Sequence, residues 1–305
     1  MSFERVLRSL RRRASALVEL SWHCGFRAVS RVLPSRAQPW STTGTERVLV
    51  IAPHPDDEAI ACSGTILRHI ESGDAVVVAV ATDGSRSRAA ATSGEMAAIR
   101  RNEAELAARR LGIERLEWLG LPEGAWHISA LEKLLCEQLQ RHEPTIVYAP
   151  SRVDFHPEHL AVAHALARAL DARAVARATP RRVRAYQVQV PLTRILTNVI
   201  TDVSNVLAAS VAALAAYSSQ RGSIESVHRR RRYGALAHRV PGPVEEFWEL
   251  SVQEYAELHR SPFGEWSSTF RGVRRFAWTD PLAYLQGNAE RRRLRSRVAG
   301  RGVPA

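Results

Sequence analysis

From residue 47 onward the chain alternates short, wholly apolar runs with longer segments of helical period, and few folds accept that rhythm. RVLVIA (47–52), AVVVAVA (75–81) and TIVYAP (145–150) are continuous apolar runs of strand length, as strands buried on both faces require. Between and after them, residues 58–72, 96–111, 130–139 and 157–170 space their apolar positions three and four apart, which predicts helices. LEWLGL (116–121) adds a short strand, and Gly112 stops the helix before it. Strands alternating with helices predict an α/β domain with a largely parallel sheet, whose right-handed crossovers place helices on both faces. Further along, RVRAYQVQV (182–190) and NVITDV (198–203) read as strands, 204–220 as an alanine-rich helix, and 228–243 as a long loop. At 305 residues the chain can bury a sizeable core.

The net charge of +12 sits at the two ends. Residues 1–36 hold eight arginines against Glu4 and Glu19, and residues 290–305 hold six against Glu290, so the body between is almost neutral. A nucleic-acid partner needs the basic field on the domain that grips phosphates, and this distribution argues against one. The three cysteines, Cys24, Cys62 and Cys136, form no CxxC pair, which fits a reducing compartment and no thiolate metal site. No apolar run approaches the roughly 18–20 residues that span a bilayer, and no export signal stands out, so a cytoplasmic location is expected. Phe3, Leu7, Leu10, Ala14, Leu17 and Val18 recur at helical spacing among arginines. Residues 1–33 therefore read as a basic amphipathic helix, suited to peripheral contact with an anionic membrane at the inner membrane face. A helix packed on the body fits the same pattern. Pro34 and Pro39 end it. The expected organisation is a leader and linker over 1–46, one domain over 47–289, and a disordered basic tail over 290–305.

Two polar clusters carry the chemistry. PHPDDE (53–58) follows the first apolar strand, and SRVDFHPEH (151–159) follows TIVYAP. Open α/β sheets bind ligands beyond the carboxyl ends of their strands, so the two clusters converge on one edge. Two histidines and a carboxylate with one position left open make a hydrolytic zinc site, in which the pKa of bound water falls to about 7. Asp56 and Asp57 supply one carboxylate to hold an ion and one to take a proton. Any single member would be an ordinary surface or capping residue, as Asp154 would be before the helix near Pro157. The histidines at 23, 69, 127, 142, 164, 228, 238 and 259 have no partner at metal spacing and read as structural or exposed. There is no glycine-rich dinucleotide fingerprint.

PHPDDE resembles the AHPDDE motif of the PIG-L/LmbE-like N-acetylglucosaminyl deacetylases, and DFHPEH (154–159) resembles that family's aspartate followed by HPDH. GTILRHIESGDAVVVAVATDG (64–84), RRNEAELAARRLGIERLEWLGLPEG (100–124), LAAYSSQ (214–220) and EEF (245–247) match its order and spacing, so the resemblance covers about residues 47–250. It implies a Rossmann-like fold, here with an extra N-terminal amphipathic helix and a C-terminal extension. It implies Zn²⁺, or another divalent transition metal, held by His54, Asp57 and His159. Asp56 would be the general base towards the zinc-bound water. His156, as an imidazolium, would stabilise the oxyanion and protonate the leaving amine. Arg100 would contact substrate, with Arg101 competing, and Asp83 and Asp154 would orient ligands or sugar hydroxyls.

The implied reaction removes acetate from an N-acetylated amino-sugar conjugate, a lipid-linked one included. Another acylated amino sugar or small amide is the alternative substrate. A non-catalytic basic protein, bound to membrane or nucleic acid and carrying a vestigial metal site, is the alternative of a different class. Glu158 and Phe155 depart from the family pattern and are expected only to reshape the pocket rim. Glu58 is expected only to open the following helix.

Overall fold

The computed structural model describes residues 3–32, 35–86, 92–173, 180–273 and 281–299. Its strands are β1 (Gln38–Pro39), β2 (Arg47–Ala52), β3 (Ala75–Thr82), β4 (Arg115–Leu121), β5 (Ile146–Pro150), β6 (Arg182–Tyr186), β7 (Val199–Asp202) and β8 (Val244–Leu250). They form one eight-stranded sheet in the order β1-β7-β8-β6-β5-β2-β3-β4. Every pairing is parallel except those of β8 with β6 and with β7. The predicted α/β architecture is the one the chain builds.

Side-chain alternation along the central strands makes two cores. Leu49, Ile51, Val77, Ala79 and Val147 face the helices Ile128–His142 and Pro157–Arg173. Val48, Val50, Val76, Val78 and Tyr148 face the helices Asp57–Glu71 and Ser93–Leu111. The latter helix starts at a Thr92–Glu95 capping box and stops at Gly112, whose φ of 76° suits a residue without a Cβ. From β2 the chain winds outward to β3 and β4, and β5 then returns to the other flank of β2. That reversal opens a crevice beyond the carboxyl ends of β2 and β5.

Several sequence expectations fail, two of them through buried arginines. Residues 221–238 form a helix, Arg221–His238, where a loop was expected from 228. Its arginines read as solvated, yet Arg231 is buried and donates to Ser210, Ser63 and Glu245, while Arg230 donates to the Val188 and Ile60 carbonyls. The basic tail is likewise ordered over Asn288–Ala299, with Arg291 buried against the Pro191 carbonyl; residues 300–305 lie outside the described chain. Arginine can sit in a core when acceptors meet its fork, and hydropathy patterns miss this. The alanine-rich helix is split into Leu207–Leu214 and short turns on either side. Tyr217, Ser218 and Ser219 leave the helix there to donate to Glu58 and Glu103. The strand expected over 182–190 ends at Tyr186.

The N-terminal helix spans Phe3–Val32 and packs on the body by one face. Phe26 stacks on Tyr233 at 4.9 Å and meets Tyr284 edge-on, Ser30 is buried, and Glu19 pairs with Arg232. On the far side, Leu17 is 66% and Leu20 58% exposed.

Candidate metal centre

The turn after β2 is held from several directions. The Pro53 carbonyl accepts from the Thr82 N–H and hydroxyl at 3.1 and 2.9 Å. Asp56 adopts φ 144°, a left-handed conformation that costs a non-glycine residue about 1–3 kcal/mol. It is kept there by Arg100, which donates to the Pro55 carbonyl and to Asp56 Oδ1 at 2.8 Å, and by the Ile60 N–H on the Asp56 carbonyl. The helix that begins at Asp57 is anchored farther along by Glu245, which accepts from the Gly64 and Thr65 N–H groups at 2.9 and 2.8 Å. A Cβ on Gly64 would lie 2.3 Å from Val203, so only glycine permits this approach. Glu58 does more than open the helix. It is buried, accepts the Tyr217 hydroxyl and the Asp56 N–H, and burial raises its pKa to about 7.

Across the crevice, the start of the helix Pro157–Arg173 delivers His159. Asp57 Oδ2 stands 3.1 Å from His54 Nδ1 and 3.3 Å from His159 Nε2, with all three side chains buried. Ligands at about 2.1 Å around a tetrahedral ion lie about 3.4 Å apart, so these donors have the spacing of a shared cation. The far nitrogen of each histidine meets its own carboxylate: His159 Nδ1 is 3.0 Å from Asp154, and His54 Nε2 is 2.7 Å from Glu158. Such outer partners orient metal-binding imidazoles. His156 lies against both rings, at 4.9 and 4.6 Å between centroids, and its buried Nδ1 has no hydrogen-bond partner. One nitrogen from each of the three histidines falls within 4.8 Å of the others. The chemistry of these donors suits a divalent cation: among the described residues, the sets whose ligand atoms all lie within 4.8 Å of one another are His54, His156 and His159, and His54, Glu123 and Glu158, while Asp57 meets His54 and His159 pairwise.

Ionisation follows from the packing. Burial pulls His54 down, but the hydrogen bonds to Asp57 and Glu158 outweigh it and raise the pKa to about 9. Burial also opposes the charge on His159, yet Asp57 and Asp154 hold it well above the usual histidine value. Asp57 is held well below the usual carboxylate value against its burial, chiefly by His159. A cation among these atoms would replace the protons they share. Asp56 is different. Burial raises it to about 6 against the opposing Arg100 charge, which suits a carboxylate that must take up and release a proton near neutrality. Burial and the neighbouring histidines lower His156 to about 4, so it stands neutral rather than as the expected imidazolium.

The remaining site residues fall into place around this core. Arg100 is turned onto Asp56, and its buried Nε has no hydrogen-bond partner. Arg101 is exposed over Trp118 and paired with Glu105, so it does not compete. Asp83 accepts the Ser85 and Glu123 N–H groups, both at 3.0 Å, and holds the rim. Asp154 caps the turn through the Phe155 and His156 N–H groups with one oxygen and orients His159 with the other. Sequence reasoning missed Glu158 and Glu123, which gather with His54 in a second group. The only signal was the glutamate standing where the related motif has aspartate.

A parallel sheet that gathers histidines and aspartates at its switch point defines a class, the Rossmann-like α/β proteins with a cation site at the carboxyl edge. Comparison with known proteins narrows it. Residues 49–170 match the family described as "PIG-L: GlcNAc-PI de-N-acetylase". A probable N-acetyl-alpha-D-glucosaminyl L-malate deacetylase 2 of Bacillus cereus is 30% identical over 218 residues, covering 66% of this chain and 96% of that protein. The diacetylchitobiose deacetylase of Thermococcus kodakarensis is 33% identical over 120 residues, which are 37% of this chain and 45% of that protein, so this likeness spans about half the relative's length. The structure of N,N'-diacetylchitobiose deacetylase from Pyrococcus horikoshii superposes with a TM-score of 0.62 at 22% identity, covering 69% of this chain and 85% of that one. The chain belongs to the PIG-L family.

Proposed function

We propose that the protein is a Zn²⁺-dependent deacetylase that hydrolyses the N-acetyl group of an N-acetylglucosamine-type conjugate. The carrying observation is the division of labour between adjacent aspartates. Asp57 lies at ligand distance from two histidines, while Asp56 is turned away onto Arg100 and carries a pKa near 6. A bound divalent cation supplies Lewis acidity, polarising the acetamide carbonyl and acidifying water in the crevice. Asp56 takes the proton of the attacking water, and Arg100 keeps that carboxylate aimed and ionised. His156, neutral at rest and with a buried Nδ1 that has no partner, would take up the proton that Asp56 has removed from water and pass it to the amine nitrogen as the C–N bond breaks. Asp154 holds His159 in its ligand orientation. Acetate release from a panel of soluble and lipid-linked N-acetylglucosamine conjugates, and of other acylated amino sugars, tests this. Zinc-loaded protein that releases acetate from none of them overturns it.

A second reading concerns where the enzyme works. Leu17 and Leu20 are exposed on the helix, away from the face carrying Trp22, Phe26 and Ser30, which docks on the body. Exposed leucines on a helix rich in arginine match an anionic lipid surface. Among the described residues no helix is long and apolar enough to cross a membrane. Contact would therefore be peripheral, and would bring a lipid-linked sugar within reach. Full-length protein should sediment with phosphatidylglycerol vesicles in a salt-sensitive manner, and Leu17→Glu/Leu20→Glu should abolish this. Equal sedimentation of the double variant overturns the reading.

A further inference from the structure

We propose that Glu158 selects the tautomer of His54 and so sets how tightly the centre holds its cation. This rests on the metal-dependent reading above. An ionised carboxylate can only accept, so Glu158 Oε2, 2.7 Å from His54 Nε2, requires the proton on that nitrogen. A neutral imidazole protonated at Nε2 presents a bare lone pair at Nδ1, the atom 3.1 Å from Asp57 Oδ2. His159 is set in the opposite sense, with Asp154 on Nδ1 and Nε2 towards Asp57, so Nε2 is the nitrogen a cation would take once it displaces the proton shared there. The two histidines thus offer different nitrogens to one ion, each fixed by its own carboxylate. Glu158 cannot turn away, because its other oxygen accepts from the Gly124 N–H at 2.8 Å and the Trp126 indole N–H at 2.6 Å. The segment after β4 is thereby fastened to a metal ligand. An aspartate at 158, one methylene shorter, would withdraw its carboxylate by about 1.5 Å and lose one side of this bridge.

Glu158 is a positioning residue, and its test reads metal affinity and tautomer instead of turnover. Glu158→Gln keeps the size and an acceptor oxygen for Gly124 and Trp126. It turns an amide NH₂ towards His54 Nε2, which must then accept, leaving the proton on Nδ1. Zinc affinity of the folded full-length protein, measured by competition with a chromophoric chelator, should fall about 10–100-fold in Glu158→Gln. It should fall by a smaller factor in Glu158→Asp. In isotope-labelled, metal-free protein held above about pH 9, where His54 has given up its second proton, its ring nitrogens should exchange protonated and bare positions between wild type and Glu158→Gln. Affinity within about twofold of wild type, or an unchanged nitrogen pattern, overturns the proposal. Should Glu158→Gln fail to fold, Glu158→Asp decides alone: undiminished affinity overturns the proposal and reduced affinity supports it. A wild type that binds no zinc sinks the metal reading itself, an outcome distinct from all of these.

Discussion

Two buried histidine–carboxylate clusters occupy opposite ends of the sheet, and they are built on different logic. Near the amino end of β3, His69 Nδ1 lies 2.6 Å from Asp74, and its Nε2 lies 2.9 Å from the Tyr148 hydroxyl. The Tyr148 oxygen receives Arg184 Nη1 at 2.7 Å, so its own proton goes to His69, and the chain runs from Arg184 through Tyr148 and His69 to Asp74. Asp74 is completed by the Thr42 hydroxyl and the Glu46 N–H. Each donor has one acceptor, and no lone pair is left pointing inward. At the carboxyl edge, Asp57 Oδ2 faces two imidazole nitrogens at once, and His156 Nδ1 faces no partner. A cation among the side chains, as proposed above, would complete that arrangement. Burial of a histidine beside an aspartate does not make a site; convergent donors with no partner of their own do.

The contrast breaks first at the ligands. Asp57→Ala or His159→Ala should eliminate bound zinc, measured by atomic absorption, and with it essentially all acetate release. Chelation of the wild type should do the same reversibly, because the sheet core is built without the cation. Next in size is Asp56→Ala. We expect stoichiometric zinc but turnover reduced about 10²–10⁴-fold, the usual share of a general base. Undiminished turnover would erase the distinction between the adjacent aspartates. At the other cluster, His69→Phe leaves Asp74 and Tyr148 each short of a partner and should cost about 1–3 kcal/mol in urea unfolding. It should leave zinc content and turnover per folded molecule unchanged. Loss of zinc in that variant would show that the two clusters are coupled.

How far the sequence disclosed this follows from what each interaction depends on. The central strands were legible because β2, β3 and β5 are buried on both faces, and burial writes itself into composition. His54, Asp57 and His159 were legible because two strand ends of a parallel sheet must share an edge. Arg231 and Arg291 were not, since their burial depends on Glu245 and on the Pro191 carbonyl, which only tertiary folding supplies. The His69 chain was equally hidden, because its members at 69, 74, 148 and 184 show no local spacing. Glu158 lay in plain view as a departure from a motif. Its bond to His54, 104 residues away, could be found only once the strands were in place.

The smallest effect is also the one that best isolates the closed cluster. Burial lowers the pKa of His69 to about 4, more than the Asp74 hydrogen bond raises it, while an unfolded histidine titrates near 6.5. Between those values the unfolded chain binds the proton and the folded one does not, so stability rises with pH across that window and is lost as pH falls through it. The full span for one such group is about 3–4 kcal/mol. His156 and His259 are lowered to about 4 and about 3, mainly by burial, and slope the same way, but they are common to wild type and His69→Phe. Asp74 titrates below the window, its pKa held down by the Thr42 and His69 hydrogen bonds against its burial. The stability gap between wild type and His69→Phe should therefore be widest near about pH 7 and should shrink towards about pH 4.5, as wild type alone gives up what His69 contributes. A gap independent of pH would mean that folding leaves the His69 pKa unshifted, and a gap that widened as pH fell would mean that His69 keeps its proton in the folded chain, paired with Asp74 as an ion pair. The closed cluster would then resemble the metal centre more than its geometry allows.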